Sequence, residues 1–225
     1  MKRILAAIIA AALLLSGCTS ASRPAESAPP TGTPSPSPTP VVTPTPEPEP
    51  ADGELVLVRD YIPGIFIDLK YATTDNFTGR VIYDSDEAYL RYGTVKKLLC
   101  AQNELSGRGL SLKIWDAYRP VSAQFKLWEI CPNPVYVSDP NNGYSKHSRA
   151  NTVDITLVTD TGKSIPMPSG FDDFTSLADR DYSDVSAEAA ENARLLESVM
   201  VENGFVPYSG EWWHYSDSVS YDVYG

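Results

Sequence analysis

The sequence predicts an α+β domain with a mixed or antiparallel sheet and flanking helices, on three observations. Apolar residues alternate, as is typical of strands, within 55–69, 111–118 and 152–158. Apolar residues recur with helical spacing within 94–106, 120–131 and 186–203. These segments interleave without a strict strand–helix–strand order, which disfavours a purely parallel sheet.

Local signals place the element boundaries. Two short strands flank a turn at Pro63-Gly64. Thr94 is the candidate N-cap of the first long helix, and Pro120 suits the first position of the second. The third runs from Ser186 to Asn203, with a glycine just beyond it. The final segment, GFVPYSGEWWHYS, is predicted to be a strand or a turn.

The strand TVDITLV carries a carboxylate within an otherwise apolar run. Val153, Ile155 and Leu157 share one face, so we expect that face to meet the core. Asp154 then lies on the opposite, polar face.

The N-terminus predicts export and lipid attachment. Residues 1–17 have a basic start and an apolar stretch shorter than the about 20 residues that span a bilayer, as in a signal peptide. The ending L-S-G-C resembles a bacterial lipobox, which makes Cys18 the lipidation site; an ordinary secretory signal with an incidental cysteine is the alternative. We therefore expect an extracytoplasmic protein, anchored to the cell membrane through its N-terminal lipid only.

Composition divides the rest into a tether, 18–52, and a single domain, 53–225. Residues 19–52 contain 11 prolines and no aromatic residue, so this segment cannot bury enough apolar surface to fold. The domain has 15 Lys and Arg against 25 Asp and Glu, without a basic stripe. This charge excludes nucleic acid, and an anionic membrane surface, as partners of the domain itself.

Two further cysteines leave two alternatives open. Cys100 and Cys131 could form a disulfide, worth roughly 3 to 4 kcal/mol in loop entropy, or remain as two free thiols. Neither belongs to a C-x-x-C pair, so metal binding by them is not expected.

The two histidines of the chain each lie close to a carboxylate. His147 precedes Asp154 by seven residues, and His214 follows Glu211 by three. A catalytic zinc site uses three such ligands and keeps one position open, with a nearby glutamate as the base. His147, Asp154 and His214 could therefore be the ligands and Glu211 the base; the alternative is that both histidines make structural hydrogen bonds.

These residues fall in motifs that resemble those of a known family. SKHSRANTVDITL and GEWWHY are similar to the S-x-H-x-x-G-x-A-x-D and E-x-W-H motifs of the VanX-type D-alanyl-D-alanine dipeptidases, within the zinc D,D-peptidase group. DLKYATTDNFTGRVIY, WDAYRPVSAQF and IPMPSGFDDF resemble further blocks of that family in the same order. The resemblance extends over nearly all of residues 54–216 and implies a zinc-peptidase fold.

The resemblance implies one Zn²⁺ ion per domain, bound by His147, Asp154 and His214. Glu211 would act as general base and then as general acid. Arg119 would stabilise the oxyanion, since its guanidinium stays charged and offers fixed donors. Without the family, a structural ion pair would explain Arg119 equally well.

The resemblance also implies the residues that bind the two ends of a dipeptide. Tyr71 and Asp172 would hold the substrate ammonium, and Ser145 would lie near its carboxylate. Asp173 is an alternative to Asp172. Two positions depart from the family motif: Ala150 replaces its glycine and Thr152 its alanine, so the turn between the metal ligands is expected to differ slightly.

The implied function is zinc-dependent hydrolysis of D-alanyl-D-alanine. A lipid-anchored enzyme cannot reach a cytoplasmic dipeptide pool, so we expect a role in cell-wall peptide turnover or salvage. The alternatives are a zinc D,D-carboxypeptidase acting on peptidoglycan stem peptides, a non-catalytic lipoprotein that binds wall peptides, and a secreted structural module.

Overall fold

A computed structural model describes residues 48–225 of the chain. The predicted signal peptide, the lipidation site Cys18 and most of the tether lie outside the described residues. Within 48–225, no helix has both the length and the apolar character needed to cross a membrane.

The described residues form seven strands and four α-helices. The strands are Leu55–Leu57 (β1), Phe66–Ile67 (β2), Tyr89–Arg91 (β3), Leu110–Asp116 (β4), Thr152–Thr159 (β5), Phe205–Tyr208 (β6) and Glu211–Asp217 (β7). The helices are Val58–Tyr61 (α1), Tyr92–Ser106 (α2), Val121–Ile130 (α3) and Ala187–Glu202 (α4).

The strands confirm the predicted α+β class with a mixed sheet. The main sheet has the order β2-β4-β5-β7-β6, in which β2 runs parallel to β4 and the other neighbours are antiparallel. β1 and β3 form a separate antiparallel pair. The predicted strands on either side of Pro63-Gly64 are present, but each pairs with a distant strand, and the short helix α1 lies between them.

The register of the three central strands aligns polar residues at one end of the sheet. Asp116 of β4 lies opposite Asp154 of β5, which in turn lies opposite His214 of β7. Residues directly opposite each other in a sheet project to the same face. Three strands distant in sequence therefore present three polar side chains side by side.

The apolar face of β5 meets the core as predicted. Val153, Ile155 and Leu157 are buried in the same cluster as residues of α2 and α4, and these two helices contact each other and the sheet. Asp154 lies on the opposite face, but it is also buried. Loops cover that second face and enclose a site there.

The prediction that Thr94 caps the first long helix is wrong. α2 begins two residues earlier, and the N–H groups of Tyr92 and Gly93 donate to the carbonyls of Glu54 and Asp52, at 2.8 and 2.9 Å. Distant backbone thus satisfies donors that usually need a capping side chain. Thr94 is buried, and its hydroxyl donates to Asp217 instead, at 2.8 Å.

The other predicted helices are present. α3 begins at Val121, directly after Pro120, and α4 is capped by the Ser186 hydroxyl, which accepts from the Ala189 N–H. Cys100 is exposed and Cys131 half-buried, and the two thiols are not bonded to each other.

Candidate metal centre and peptidase site

A short 3-10 turn, Lys146–Arg149, carries His147 to the start of β5. The Ser145 hydroxyl accepts a hydrogen bond from the His147 N–H at 3.3 Å and so caps the start of the turn. The turn ends at Ala150, whose φ of 58° and ψ of 29° are left-handed. An alanine thus adopts a conformation that glycine takes more readily, at a cost of about 1 kcal/mol.

His147, Asp154 and His214 form a compact ligand set. Their candidate ligand atoms all lie within 4.8 Å of one another. Asp154 Oδ2 is 3.3 Å from His147 Nε2, Asp154 Oδ1 is 3.0 Å from His214 Nδ1, and the two imidazole nitrogens are 3.4 Å apart. Two imidazoles and one carboxylate around a common point, open to a cavity on one side, fit a catalytic Zn²⁺.

The second nitrogen of His147 fixes which nitrogen faces the cluster. Nδ1 lies 2.9 Å from the carbonyl oxygen of Ala117 and donates to it, which leaves the Nε2 lone pair directed at the metal position. Burial by itself would raise the pKa of Asp154, but protonated imidazoles beside it hold that pKa below its usual range, and a metal cation in place of those protons would act in the same direction. The carboxylate is therefore ionised, as a metal ligand must be.

The Glu211–His214 segment reaches the site through an irregularity between β6 and β7. Pro207 lies opposite Tyr215, but the next residue of β6, Tyr208, lies opposite Glu211. Three residues of β7 bulge between these pairs. The bulge brings Glu211 Oε2 to 3.4 Å from His214 Nδ1, although residues three apart point to opposite faces in a regular strand.

Glu211 has the environment expected of a proton acceptor. Its pKa is raised, first by burial and then by the neighbouring charge of Asp154, while the two histidines act against that rise. A carboxylate with a raised pKa binds a proton more readily and is suited to general acid–base chemistry near neutral pH.

Asp116 is a site residue that the sequence did not single out. This buried carboxylate accepts hydrogen bonds from Arg119 Nη2 at 2.6 Å and Nε at 3.2 Å, and from Tyr83 OH at 2.5 Å. It also lies 3.6 Å from His147 Nδ1. Its position in WDAYRP, three residues before Arg119, was the available signal. Asp116 thus fixes Arg119 and borders a metal ligand.

Asp172 and not Asp173 faces the site. Asp172 accepts a hydrogen bond from Tyr71 OH at 2.7 Å, whereas Asp173 accepts from the backbone and hydroxyl of Thr175. Burial raises the pKa of Asp172 to about 7, while the Tyr71 hydrogen bond lowers it. Asp172 also has a left-handed φ of 53°, a costly conformation that is often found at functional sites.

One cavity of about 280 Å³ brings the predicted site residues together. Its lining includes all eight of them: Tyr71, Arg119, Ser145, His147, Asp154, Asp172, Glu211 and His214. Residues 134–138, Lys146 and Tyr208 complete the wall. A His-Asp-His cluster with a glutamate beside it, in a cavity with charged groups around it, defines a zinc-dependent peptidase.

Comparison with known proteins identifies the family. The profile of the family Peptidase M15, described as D-ala-D-ala dipeptidase, matches residues 51–221. The D-alanyl-D-alanine dipeptidase of Escherichia coli K12 is 39% identical over 162 residues, which cover 72% of this chain and 83% of that protein. The chain therefore belongs to the M15 family of D-Ala-D-Ala dipeptidases.

Other relatives agree with this assignment. The D-alanyl-D-alanine dipeptidase of Streptomyces coelicolor is 36% identical over 188 residues, covering 73% of this chain and 91% of that protein. That of Enterococcus faecium is 35% identical over 176 residues, covering 69% and 87%. The matches confirm the family resemblance read from the motifs, and with it the enzyme class and the zinc cofactor.

Proposed function

We propose that this zinc dipeptidase hydrolyses D-Ala-D-Ala outside the cytoplasm, in the turnover or salvage of cell-wall peptides. The observation that carries the proposal is the convergence of eight residues, from five separate segments of the chain, on one small cavity. The signal-peptide and lipobox patterns of residues 1–18 support the compartment.

In the proposed catalytic step, residues of this chain transfer the proton and stabilise the oxyanion. His147, Asp154 and His214 would hold a zinc ion, which would supply Lewis-acid polarisation of the amide and would lower the pKa of bound water. Glu211 takes the proton from the attacking water and delivers it to the amine nitrogen as the C–N bond breaks. The Arg119 guanidinium, fixed by Asp116, stabilises the negative charge that develops on the carbonyl oxygen.

The ammonium group and the carboxylate group of a dipeptide would each have a polar partner in the cavity. Asp172, hydrogen-bonded to Tyr71, suits the substrate ammonium, because a cation beside it would compensate for the burial of the carboxylate. The Ser145 hydroxyl accepts from the His147 N–H, so its own proton stays available to a substrate carboxylate.

Aromatic side chains border the Asp172 end of the cavity and favour a dipeptide over a stem peptide. Tyr136, which lines the cavity, stacks on Phe174 with ring centroids 4.3 Å apart. Phe174 follows Asp172 by two residues and also contacts Phe77, which in turn contacts Tyr71. We propose that this cluster obstructs the binding of a peptide longer than two residues.

Substrate length provides the test. The purified full-length protein is assayed for release of D-alanine from D-Ala-D-Ala and from a pentapeptide stem that ends in D-Ala-D-Ala. We expect kcat/KM to favour the dipeptide strongly, since the buried Asp172 would lose its ammonium partner in the longer peptide. A higher kcat/KM for the stem peptide would contradict the dipeptidase proposal and indicate a D,D-carboxypeptidase.

The compartment is tested separately. Labelling of cells with radioactive palmitate, followed by membrane fractionation, should give a labelled, membrane-bound protein. The Cys18→Ala variant should be neither labelled nor retained in the membrane. A wild-type protein recovered unlabelled from the cytoplasm would refute the extracytoplasmic role.

A further inference from the structure

We infer that Arg180 is the positioning residue that holds Glu211 and His214 in their reactive arrangement. Arg180 lies between α4 and the strands β6 and β7 and is not among the residues that line the cavity. Its guanidinium donates from Nε to the carbonyl of Tyr208 at 2.7 Å and from Nη2 to the carbonyl of His214 at 3.1 Å. Tyr208 belongs to β6 and His214 to β7, so the guanidinium bonds both strands of the irregular pair.

The bulge creates the need for such donors. Because Tyr208 pairs with Glu211 and Pro207 with Tyr215, one step along β6 corresponds to four steps along β7. A regular ladder cannot pair the backbone groups of the extra residues, so the Tyr208 carbonyl and the part-buried His214 carbonyl accept from a donor outside the strands. A guanidinium, with five N–H donors in a rigid fork, can bond both strands at once.

Arg180 is itself firmly held. Its Nη1 donates to Glu197 of α4 at 3.0 Å and to Tyr215 OH at 3.1 Å, and its Cζ lies 4.5 Å from the centre of the Tyr215 ring. The Arg180 side chain is only 10% exposed. The helix and the sheet therefore fix the guanidinium, and the guanidinium fixes the bulge.

The role is confined to positioning. Arg180 bonds backbone atoms at Tyr208 and His214, so it acts on the spacing between the base and the metal ligand, which is 3.4 Å from Glu211 Oε2 to His214 Nδ1. Loss of Arg180 would let the bulge relax toward regular pairing. Regular pairing would turn one of these two side chains away from the cavity.

The test compares Arg180→Met and Arg180→Lys in the full-length protein. Zinc affinity is measured by competition with a chelator, the ligand geometry by the visible spectrum of the cobalt-substituted protein, and kcat and KM with D-Ala-D-Ala. For Arg180→Met we expect about tenfold weaker zinc binding, an altered cobalt spectrum and a fall in kcat that exceeds any rise in KM. For Arg180→Lys we expect values between those of the wild type and of Arg180→Met, because one ammonium group cannot bond both carbonyls with the geometry of a guanidinium.

Arg194→Met is the matched control. Arg194 lies on α4 and places its guanidinium over the Tyr182 ring at 5.4 Å, and within residues 48–225 it makes no hydrogen bond to β6 or β7. Its zinc affinity and cobalt spectrum should match those of the wild type.

A purely structural role for Arg180 would give a different pattern. Arg180→Met would then lower Tm while leaving the zinc affinity, the cobalt spectrum and kcat at wild-type values, and the inference would be wrong. If Arg180→Met does not fold, Glu197→Gln replaces it. We expect the same direction of change in zinc affinity, cobalt spectrum and kcat. Wild-type values of all three in Glu197→Gln would overturn the inference. Zinc affinity and the cobalt spectrum need no substrate, so they remain decisive even if D-Ala-D-Ala proves not to be cleaved.

Discussion

The two halves of the metal site are built in different ways. His147 and Asp154 come from a turn followed by strand β5, seven residues apart, and the irregularity beside Asp154 lies in the neighbouring strand β4. Glu211 and His214 come from a bulged strand, three residues apart. The first half depends on local geometry that a sequence pattern can express, and the second depends on an irregularity that only tertiary contacts can hold.

The first half is anchored through its backbone. The Ser148 carbonyl accepts from the Tyr224 N–H at 2.9 Å, and Arg149 Nη1 donates to the Tyr221 carbonyl at 2.7 Å. Arg91 lies against both tyrosine rings and donates from Nε to the Arg149 carbonyl at 3.1 Å. The C-terminal segment thus holds the turn that carries His147, whereas Arg180 bonds the strands that carry Glu211 and His214.

Removing a ligand from the first half should have the largest effect. His147→Ala leaves two ligands, so we expect loss of both bound zinc and D-Ala-D-Ala hydrolysis. Metal content of the purified variant and its Tm with and without added zinc measure this. Zinc should raise Tm of the wild type but not of the variant. A variant that still bound zinc with wild-type affinity would show that His147 is not a ligand.

Removing the base from the second half should separate chemistry from metal binding. Glu211→Ala should keep the zinc and lower kcat by about 10²- to 10⁴-fold, since the proton carrier is lost while the three ligands stay. Metal analysis and kcat are measured on the same preparation, with Glu211→Gln as the isosteric control. Substantial turnover in both variants would assign the proton transfer to another group.

The same contrast explains what the sequence could predict. Alternation placed Asp154 opposite the core face, and the family motifs supplied eight of the residues that line the cavity. The bulge could not be read from periodicity, because Trp212 and Trp213 are adjacent and both buried, and such a pair does not show which of the two residues faces the core. Arg180 gave no signal, since the groups that it holds at Tyr208 and His214 are backbone carbonyls, which every residue type has.

Thr94 failed as a predicted cap for a related reason. Its helix starts where backbone carbonyls of Asp52 and Glu54 reach the first N–H groups, and such contacts between distant segments leave no local pattern. Asp116 shows the intermediate case. It stood in a recognised block, but its role emerges only when Tyr83, Arg119 and His147 converge on it.

Loosening the anchor of the first half should have a moderate effect. Arg91→Met removes the bonds to the Arg149 and Asp222 carbonyls and the contact with both tyrosine rings. Outer contacts of this kind are worth about tenfold in metal affinity, so we expect weaker zinc binding of that order, measured by chelator competition. Lys96→Met, which loses an exposed ion pair with Asp52, is the control and should bind zinc normally. Wild-type zinc affinity in Arg91→Met would mean that the turn carrying His147 keeps its conformation without the Arg91 contacts.

The smallest effect should come from the left-handed residue between the two ligands. Ala150→Gly relieves a strain of about 1 kcal/mol but gives up a buried methyl group worth about 0.8 kcal/mol, so the free energy of unfolding should change little. Ala150→Val should lose both stability and zinc affinity, because a β-branched residue is a genuine outlier at positive φ and would displace the turn. Denaturant unfolding and chelator competition measure both variants. If Ala150→Gly proved strongly destabilising, packing of the methyl group would outweigh the backbone conformation as the feature that fixes His147 relative to Asp154.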